Sequence, residues 1–396
     1  MLDFELARRR ILAQATPLSS ELLPLVEADA RVLATDVVSE LDLPAFDYSA
    51  MDGYAVAAGG LQGSGPWRLR VSVEQRAGAA PAELAHGTAA RIFTGAPLPL
   101  AADAVVMQED TERDAEHVVL KRAPAPGSHV RRRGEDLARG TLALARGTRL
   151  NPFRIGVLAA LDRSEACVVR RPKVSLLCTG DELRDPGSAP RPGSIPDSNG
   201  PSLLALARRA GADVELLPRT GDELEQTRAA VRRALQGSDV LLTVGGVSVG
   251  DHDVVKQALE AEGVTIDFWK VKIKPGKPLA FGRLGERWVL GLPGNPVSAQ
   301  LTLALFGLPL LRALQGDARP FPPTERVRLA SAIKQKPGRM GFYRARLEAG
   351  VAHVHENQAS GAPTSMANAD VLVVVPADVD GIAAGDEADA LRLADL

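Results

Sequence analysis

The chain has 396 residues, 45% of them hydrophobic and only 4% aromatic, and its 47 basic and 49 acidic side chains give a formal net charge of −2. This length predicts two to four domains with aliphatic cores. The near balance of charges argues against a nucleic-acid-binding protein, which normally carries a basic face, but it is compatible with a local anion pocket.

The cysteine content and the apolar runs exclude further classes of protein. Cys167 and Cys178 are the only cysteines and form no CxxC pair, which argues against a disulfide framework and a structural zinc site. The N-terminus lacks the apolar core of a signal peptide, and the longest apolar stretch, 301–311, is too short to span a bilayer. We therefore expect a cytoplasmic protein with no membrane or nucleic-acid partner.

The first 170 residues contain two different patterns. An imperfect apolar stripe, interrupted by Pro17 and Pro24, predicts two helices within residues 3–38. From about 55 to 140 the pattern changes to short β-like runs such as WRLRVSVE, ARIFTG and EHVVLKRA, which predict a small β-rich domain. The run NPFRIGVLAALD then predicts a return to the first unit, so the β-rich domain would be an insertion.

From about residue 172, apolar strands alternate with helical segments. The strands include KVSLLCTG, SDVLLTVGG and ERWVLGLPG, and the helices include SNGPSLLALARRAGA and ELEQTRAAVRRALQG. This alternation predicts a mostly parallel sheet with helices on both faces. A Pro-rich linker at 316–325 and renewed strand patterns after it predict a small C-terminal β domain.

Three unusual loops follow strands of the parallel sheet, where open α/β sheets bind their ligands. Thr179 and Gly180 open the first, TGDEL, although a turn followed by a helix N-cap is the better explanation for this loop taken alone. Gly245 and Gly246 open the second, GGVSVGDHD, in which Ser248 and an acid such as Asp253 could hold a phosphate and a cation. The third, LPGNPVS, predicts Asn295 as an N-cap and Pro296 as the first helical residue.

Two basic segments have both a structural and a functional interpretation. In WKVKIKPGKP, Lys270, Lys272 and Lys274 would share one face of a strand, either as a solvated edge or as an anion site. In RRRGED, at 131–136, arginine forks could bind an oxyanion, but a solvated charge run is the more common case. No Ser/His/Asp or Cys/His arrangement can be assembled, and His252 beside the glycine loop indicates a surface residue.

Seven motifs in order give the chain a specific resemblance. They are LPAFDYSAMDGYAV, TGAPLP with ADAVVMQED, RRRGEDLARG, CTGDEL, GGVSVGDHD, KIKPGKP and LPGNPVSA, and they span most of the chain. Together they resemble the molybdopterin molybdenumtransferase family, which includes MoeA and the gephyrin E-domain.

The resemblance implies a multidomain α/β fold. An elongated N-terminal domain (1–45 and 140–171) would carry an inserted β-rich domain (46–139). A central, mostly parallel, three-layer domain similar to molybdopterin adenylyltransferases (172–316) and a C-terminal β-barrel-like domain (317–396) would follow. The resemblance also implies a homodimer, with each active site shared between the central domain of one subunit and the first two domains of the other.

The implied reaction inserts molybdenum from molybdate into adenylylated molybdopterin and releases AMP, with Mg²⁺ as the metal and a molybdopterin adenylyltransferase as a further candidate partner. By resemblance, Asp52 in SAMDGY and Asp136 in RGED belong to the catalytic cleft and would hold or orient Mg²⁺ and molybdate. Glu182, Asp222 and Asp253 would be the matching acids on the other wall, with Glu182 and Asp253 also as metal ligands.

The resemblance also suggests substrate contacts. Lys270, Lys274, Lys277 and Ser248 would contact phosphate and molybdate beside Thr179, Gly180, Gly245 and Gly246. Pro293 and Pro296 would shape the pocket, and Arg344 and Ser365 would contribute from the last domain. Two alternatives stay open: an adenylyltransferase acting on molybdopterin, and a pterin-binding or scaffolding paralogue without transferase activity. The large N-terminal half argues against the first, and the intact acids argue against the second.

Overall fold

The computed structural model describes residues 1–221, 223–246 and 254–396. The chain folds into two compact units. The larger unit comprises Met1–Thr35, Arg146–Asn151 and Cys167–Leu396, and the smaller unit comprises Asp36–Ala145 and Pro152–Ala166. The four domain boundaries expected from the sequence stay predictions. Asp222, Ser248 and Asp253, three of the predicted site residues, lie outside the described residues.

The larger unit begins with helix α1 (Phe4–Ala13), which buries Phe4, Ala7 and Ile11 on one face. Asp3 caps this helix, since its carboxylate accepts the backbone N–H of Glu5 at 3.0 Å. The second helix predicted within residues 3–38 is wrong: the segment forms strand β1 (Ser20–Pro24) and one 3₁₀ turn. Pro17 and Pro24 leave too few residues between them for a helix, because each disfavours helical geometry in the residue before it.

The smaller unit contains the β-rich insertion. Its strands are β2 (Val37–Val38), β3 (Tyr48–Ser49), β4 (Gly53–Val56), β5 (Trp67–Gln75), β6 (Thr88–Ile92), β7 (Ala104–Met107), β8 (Thr111–Asp114), β9 (His117–Leu120), β10 (Val130–Arg131) and β11 (Leu142–Leu144). Six of them form a sheet with the order β7-β4-β6-β5-β9-β8, while β3 pairs with β10 and β2 pairs with β11. Helix α2 (Pro152–Ala160) also belongs to this unit.

The α/β part of the larger unit follows strand β12 (Glu165–Val169), which pairs with β1. Its helices are α3 (Asn199–Arg209), α4 (Leu224–Gly237), α5 (Val254–Ala261), α6 (Pro296–Thr302) and α7 (Leu308–Leu314). Its strands are β13 (Lys173–Cys178), β14 (Leu183–Arg184), β15 (Ile195–Pro196), β16 (Asp213–Leu216), β17 (Val240–Val244), β18 (Thr265–Lys270), β19 (Ile273–Lys274), β20 (Pro278–Leu284) and β21 (Arg287–Leu292).

The predicted mostly parallel sheet is present, with the order β16-β13-β17-β21-β20-β18. The first three pairings are parallel and the last two antiparallel. One face packs against α1, α3, α6 and α7, and the other packs against α4 and α5. Strand β20 was not predicted; its sequence, PLAFGRL, begins with a proline directly after the segment KPGK (274–277), which resembles a loop.

A continuous helical run of 19 residues, Pro296–Leu314, comprises α6, a π-helical turn (Leu303–Gly307) and α7. Among the helices described, it is the one long and apolar enough to cross a membrane by length and composition, but 83% of its apolar window is buried inside the fold. Its side chains therefore form the centre of the largest hydrophobic core.

The C-terminal segment forms a closed barrel. Its elements are β22 (Thr324–Leu329), β23 (Ile333–Lys334), β24 (Met340–Glu348), β25 (Val351–Val354), helix α8 (Pro363–Ala367), β26 (Val371–Val375), β27 (Gly381–Ile382) and β28 (Glu387–Arg392). Strands β24, β25, β22, β28 and β26 are neighbours in this order, and a β24–β26 pairing closes the barrel. Strand β19 of the α/β part pairs with β24 in parallel.

Candidate active site

Three of the predicted loops meet at the carboxyl ends of β13, β17 and β21. Gly245 has a φ of +87°, and a Cβ atom there would lie 2.7 Å from the carbonyl oxygen of Thr179. Its backbone N–H donates to the carbonyl of Leu292 at 3.2 Å. Only glycine fits this position, because it accepts a positive φ and lets the backbones approach closely. The structure therefore brings the TGDEL loop, the LPGNPVS loop and Gly245, the first residue of GGVSVGDHD, to one edge of the sheet.

The residues of the TGDEL loop differ in burial: Thr179 is buried and Glu182 is exposed. Thr179 is buried, and its hydroxyl donates to the carbonyl of Val244 at 3.2 Å, which commits that group to the strand end. Glu182 is exposed, and a Cβ on Gly180 would lie 2.4 Å from its Oε2. The Glu182 carboxylate thus lies over the Gly180 backbone, where it is accessible to a ligand.

The LPGNPVS loop is held from two sides. Pro296 is the first residue of α6 and Asn295 its N-cap residue, as predicted. The Asn295 amide donates to Oγ of Ser360 in the C-terminal segment at 3.0 Å instead of capping the helix. From the other side, the buried Asn199 donates from Nδ2 to the carbonyl of Gly294 at 2.7 Å. Asn199 is not among the predicted site residues, and its position at the start of α3 is the available sequence signal.

A cavity of about 320 Å³ lies where the α/β loops meet the barrel. We call it the cation pocket, because four basic residues line it and none of its described lining residues is acidic. Asn295, Ser298 and Tyr343 contribute polar groups. The basic residues are Lys274, Lys277, Arg339 and Arg344.

Arg344 is the most buried of these cations, with 1% of its surface exposed. Its Nε donates to Oγ of Ser365 at 3.0 Å, and Nη2 donates to the carbonyls of Asn357 and Ala359 at 3.2 Å. Its Nη1 is buried and has no partner within the described chain, and burial lowers the pKa of this guanidinium. A buried cation with only neutral partners is unfavourable, so this site favours an incoming anion.

The predicted lysine face is only partly present. Lys272 and Lys274 are exposed and alternate with the buried Val271 and Ile273. Lys274 and Lys277 line the cation pocket, but Lys270, at the end of β18, is not among the lining residues. The turn at Pro275 and Gly276 brings Lys277 to the same cavity as Lys274, which the strand pattern alone does not show.

The smaller unit holds Asp52 in a defined orientation. The backbone N–H and the hydroxyl of Thr94 both donate to Asp52 Oδ1, at 2.7 and 2.9 Å. These two hydrogen bonds, with the nearby charge of Arg91, lower the pKa of Asp52. No partner of Oδ2 is found in the described residues, so this exposed oxygen is available to a ligand. Thr94 lies in TGAPLP, a motif whose individual roles were not assigned from sequence.

Arg91 braces the backbone next to Asp52. Its Nη1 donates to the carbonyl of Gly53 at 3.1 Å, and its Nη2 donates to Gln108 Oε1 at 2.8 Å. Its guanidinium lies 5.2 Å from the Tyr54 ring and 4.9 Å from the Phe93 ring. Arg91 therefore joins β6, the start of β4 and the turn after β7, a role that sequence reasoning missed.

Asp47 has a different role from Asp52. Its carboxylate accepts from Nη1 of Arg132 at 2.6 Å and from the backbone N–H of Arg133 at 2.8 Å. Burial acts to raise the pKa of Asp47, but these donors outweigh it and the pKa is lowered. Asp47 thus anchors the RRRGED loop. Asp136, at the end of that loop, is exposed, and no side-chain partner is found for it across the described chain.

The acids do not form a complete metal site by themselves. Residues 1–221, 223–246 and 254–396 contain no group of three or more His, Cys, Asp or Glu side chains arranged to hold a metal ion. Asp52 Oδ2 and the Asp136 carboxylate are hard oxygen donors. They fit Mg²⁺, which proteins often bind through one or two carboxylates while substrate phosphates and water complete the coordination.

Comparison with protein families covers nearly the whole chain. Residues 2–161 match the MoeA N-terminal region (domain I and II), residues 175–313 match a probable molybdopterin binding domain, and residues 326–393 match the MoeA C-terminal region (domain IV). The chain belongs to the MoeA family of molybdopterin molybdenumtransferases. The resemblance seen in the sequence is therefore confirmed, and the chain is an enzyme of molybdenum cofactor biosynthesis.

Individual relatives agree with this membership. Molybdopterin molybdenumtransferase 2 of Mycobacterium tuberculosis is 38% identical over 92% of this chain and 93% of its own length. The Haemophilus influenzae molybdopterin molybdenumtransferase is 39% identical over 87% of this chain and 85% of its own. A crystal structure of a molybdopterin biosynthesis moeA protein from Pyrococcus horikoshii matches with a TM-score of 0.88 and 28% identity, covering 99% of this chain and 100% of that one. The predicted fold class is confirmed.

Proposed function

We propose that this enzyme inserts molybdenum from molybdate into adenylylated molybdopterin and releases AMP, in a reaction that depends on Mg²⁺. The observation that carries the proposal is the cation pocket with its buried Arg344. Molybdate is a compact dianion with oxygen acceptors on every side. A pocket with two lysines, two arginines and no described acid provides the charge and the donors that such an oxyanion needs.

Within the cation pocket, the proposed roles follow from burial and contacts. Arg344 is fixed by Ser365 and by two backbone carbonyls, so its guanidinium is held at the cavity wall, and a small shift of the side chain would let the unpartnered Nη1 donate to a molybdate oxygen. Lys274 and Lys277 are exposed and have long, flexible side chains, whose charges would attract the anion over a longer distance. Ser298 and Asn295 would add neutral polar contacts.

The strand-end loops are the proposed site for the phosphorylated pterin. Gly245 and Gly246 both have positive φ values, of +87° and +60°, and the backbone of Gly245 is close to that of Thr179 and Gly294. Backbone exposed in this way can approach a phosphate closely, and Pro296 begins a helix whose N-terminus favours negative charge. The proposed roles of Asp222, Ser248 and Asp253 rest on the sequence motifs alone.

Asp52, Asp136 and Glu182 are the proposed acids of the reaction. Thr94 holds one oxygen of Asp52 and leaves the other for Mg²⁺, and Asp136 offers a second exposed carboxylate. A bound Mg²⁺ would neutralise phosphate charge and make the phosphorus more susceptible to attack. Asp52 is exposed, and an aspartate with an ordinary or lowered pKa is ionised at neutral pH, as a metal ligand requires.

A homodimer and a cytoplasmic location complete the proposal. Helix α2 is mostly apolar, yet Phe153 is 84% exposed and Leu158 is its one buried residue. An apolar helix with so little burial is suited to packing against a second copy of the chain, which would let the acids of one subunit reach the substrate of the other.

The proposed location is cytoplasmic. Cys167 and Cys178 are both free thiols, which suits a reducing compartment.

The direct test is AMP release from adenylylated molybdopterin in the presence of Mg²⁺, with and without molybdate. We expect molybdate-dependent release by the unchanged protein, lost on addition of EDTA and strongly reduced in Asp52→Ala. Asp114→Ala is the matched control, because that exposed acid of the same unit pairs with Arg68 and has no proposed role in the reaction. Formation of adenylylated molybdopterin from ATP would instead favour an adenylyltransferase. A folded dimer that binds the pterin but releases no AMP would favour the scaffolding alternative.

A further inference from the structure

Strand β24 has a gap along one edge, and this gap borders the cation pocket. On this edge, β19 pairs with β24 at Met340 and Gly341, and β25 pairs with it from Ala345 onward. Strand β26 occupies the other edge from Gly341 to Ala345 without interruption. Residues 342–344 therefore have no strand beside them on the first edge in the described structure, and all three line the pocket.

The side chain of Gln358 fills this gap at Arg344. Its Oε1 accepts the backbone N–H of Arg344 at 3.1 Å, and its Nε2 donates to the carbonyl of Arg344 at 2.9 Å. Nε2 also donates to the carbonyl of His355, the residue directly after β25, at 2.9 Å. The amide thus pairs with the backbone of Arg344 as a neighbouring strand would, so both backbone groups have partners.

The segment around Gln358 also holds the guanidinium of Arg344. Nη2 donates to the carbonyls of Asn357 and Ala359, the residues on either side of Gln358, each at 3.2 Å. The side chain of Asn357 in turn accepts the backbone N–H of Ala359 at 3.0 Å, which stabilises this turn of the chain. One short segment, 357–360, therefore contacts Arg344 at its backbone and at its charged end.

The 357–360 segment is also tied to the α/β part. The carbonyl of Ser360 accepts the backbone N–H of Val297, in the first turn of α6, at 3.1 Å. Oγ of Ser360 accepts a hydrogen bond from the side-chain amide of Asn295. These contacts hold the segment at the cation pocket, which Gln358 and Ser360 both line. Arg344 is thereby kept at a fixed position relative to the start of α6.

Gln358 itself has no donor left for an anion. A glutamine amide offers two N–H groups, and both donate to backbone carbonyls, those of Arg344 and His355. Its remaining polar atom is an acceptor, which does not bind an oxyanion. Gln358 is therefore unsuited to contact the anion directly, and any role in binding must act through Arg344.

We propose that Gln358 is a positioning residue for the molybdate site, because it holds Arg344 at the gap in β24 and so keeps the guanidinium at the wall of the cation pocket. This inference rests on the proposed binding of molybdate in that pocket. Since Gln358 would act on binding and not on the chemical step, its loss should raise KM for molybdate and leave kcat nearly unchanged.

The test is isothermal titration of molybdate into the parent and Gln358→Met, with AMP release as a second measurement. Methionine is close to glutamine in length and shape but cannot replace the amide's hydrogen bonds. We expect molybdate to bind about 10-fold more weakly, the order of magnitude of one net hydrogen bond, and KM to rise by a similar factor. Gln358→Asn, whose amide is one methylene shorter, should change binding in the same direction and serves if Gln358→Met fails to fold.

Two controls separate positioning from a general loss of stability. Gln315→Met changes another buried glutamine of the larger unit, whose Nε2 donates to the carbonyls of Ala210 and Leu311 at 2.7 and 2.9 Å. Gln315 does not line the cation pocket, so this variant should unfold at lower denaturant but bind molybdate like the parent. In the Arg344→Gln background, Gln358→Met should cause no further loss of affinity, because the residue through which Gln358 acts is already changed.

The inference is wrong if folded Gln358→Met binds molybdate as tightly as the parent, or if it weakens binding equally in the Arg344→Gln background. It is also wrong if kcat falls while KM stays constant. A parent protein that binds no molybdate would overturn the proposed function and this inference with it. A parent that binds molybdate but releases no AMP would overturn only the proposed reaction, and weaker binding by Gln358→Met would still support the positioning role.

Discussion

The cation pocket and the Asp52 turn, meaning residues 50–52, differ in how the chain supports charge. The pocket concentrates four cations around one cavity, and its most buried member, Arg344, is held only by neutral groups. The turn presents one exposed carboxylate, that of Asp52, which Thr94 orients through one oxygen. No three metal-binding side chains cluster anywhere in the described residues.

This difference indicates two kinds of preorganisation. The basic residues of the cation pocket converge within one unit of one chain, which is the arrangement that the proposed anion needs. In the proposed reaction the acids would supply only part of a Mg²⁺ site, and the remaining oxygen donors would come from substrate or from a second subunit. We therefore expect changes in the pocket to alter affinity for molybdate, and changes at the turn to alter turnover.

The largest effect is expected for Arg344→Gln. The variant loses the buried guanidinium and its charge-assisted hydrogen bonds to the anion, worth about 1.5–3 kcal/mol, or roughly 10–100-fold in molybdate affinity. Isothermal titration with molybdate measures it directly. Arg346→Gln is the matched control on the same strand, because Arg346 is exposed and does not line the pocket. Equal affinity in both variants would remove Arg344 from the site.

The next effect is expected for Asp52→Asn. The amide keeps the shape of the side chain and an oxygen for Thr94 but loses the charge that would hold Mg²⁺, so we expect turnover to fall about 10–100-fold. AMP release at saturating molybdate and Mg²⁺ is the measurement. Asp114→Asn should retain turnover, because Asp114 lies on the edge strand β8, where it pairs with Arg68, and has no proposed role at the metal. A similar loss in both variants would argue that Asp52 acts through the stability of the smaller unit and not through the metal.

Gly245→Ala is expected to destabilise the strand-end loops. The φ of +87° costs an alanine about 1–2 kcal/mol, and its Cβ would lie 2.7 Å from the Thr179 carbonyl, so the backbone must move as well. Denaturant unfolding should show a lower midpoint. Gly237→Ala, at the end of α4, has an ordinary φ and no atom within 4 Å of the new Cβ, so its stability should be unchanged or slightly higher.

The smallest effect is a pH-dependent one at Asp47. Its pKa in the folded state is below the ordinary value, so this carboxylate stabilises the fold above its unfolded pKa, near 3.9, and loses that contribution as the pH falls through the folded pKa. Because the ion pair with Arg132 is partly exposed, Asp47→Asn should cost about 1 kcal/mol at neutral pH. The gap in unfolding free energy between variant and parent should narrow below about pH 4; a gap that widens on acidification would contradict this assignment.

Much of the fold could be predicted because local patterns determine it. Apolar strands alternating with amphipathic helices predicted the mostly parallel sheet, and Asn295 followed by Pro296 predicted the start of α6. The false second N-terminal helix shows the limit of the same method. The apolar spacing of this segment is compatible with a helix. However, Pro17 and Pro24 disfavour a helix there, and residues 20–24 form strand β1, which pairs with β12.

The candidate site was less predictable, because it depends on contacts between distant segments. Lys277 and Arg344 line one cavity only because β19 pairs with β24 and brings the barrel next to the α/β loops. The pattern placed Lys270 with the other lysines, but the turn at Pro275 brings Lys277 to the cavity instead. Likewise, nothing local to the TGAPLP motif shows that Thr94 would hold Asp52.

The most direct test of the division between pocket and turn is the molybdate dependence of AMP release in three proteins: the parent, Arg344→Gln and Asp52→Asn. We predict that Arg344→Gln shows a raised KM for molybdate and recovers most of its rate at high molybdate. We predict that Asp52→Asn shows a lowered kcat that molybdate does not restore, with little change in KM. If Asp52→Asn is rescued by molybdate and Arg344→Gln is not, the proposed roles of the two sites are wrong.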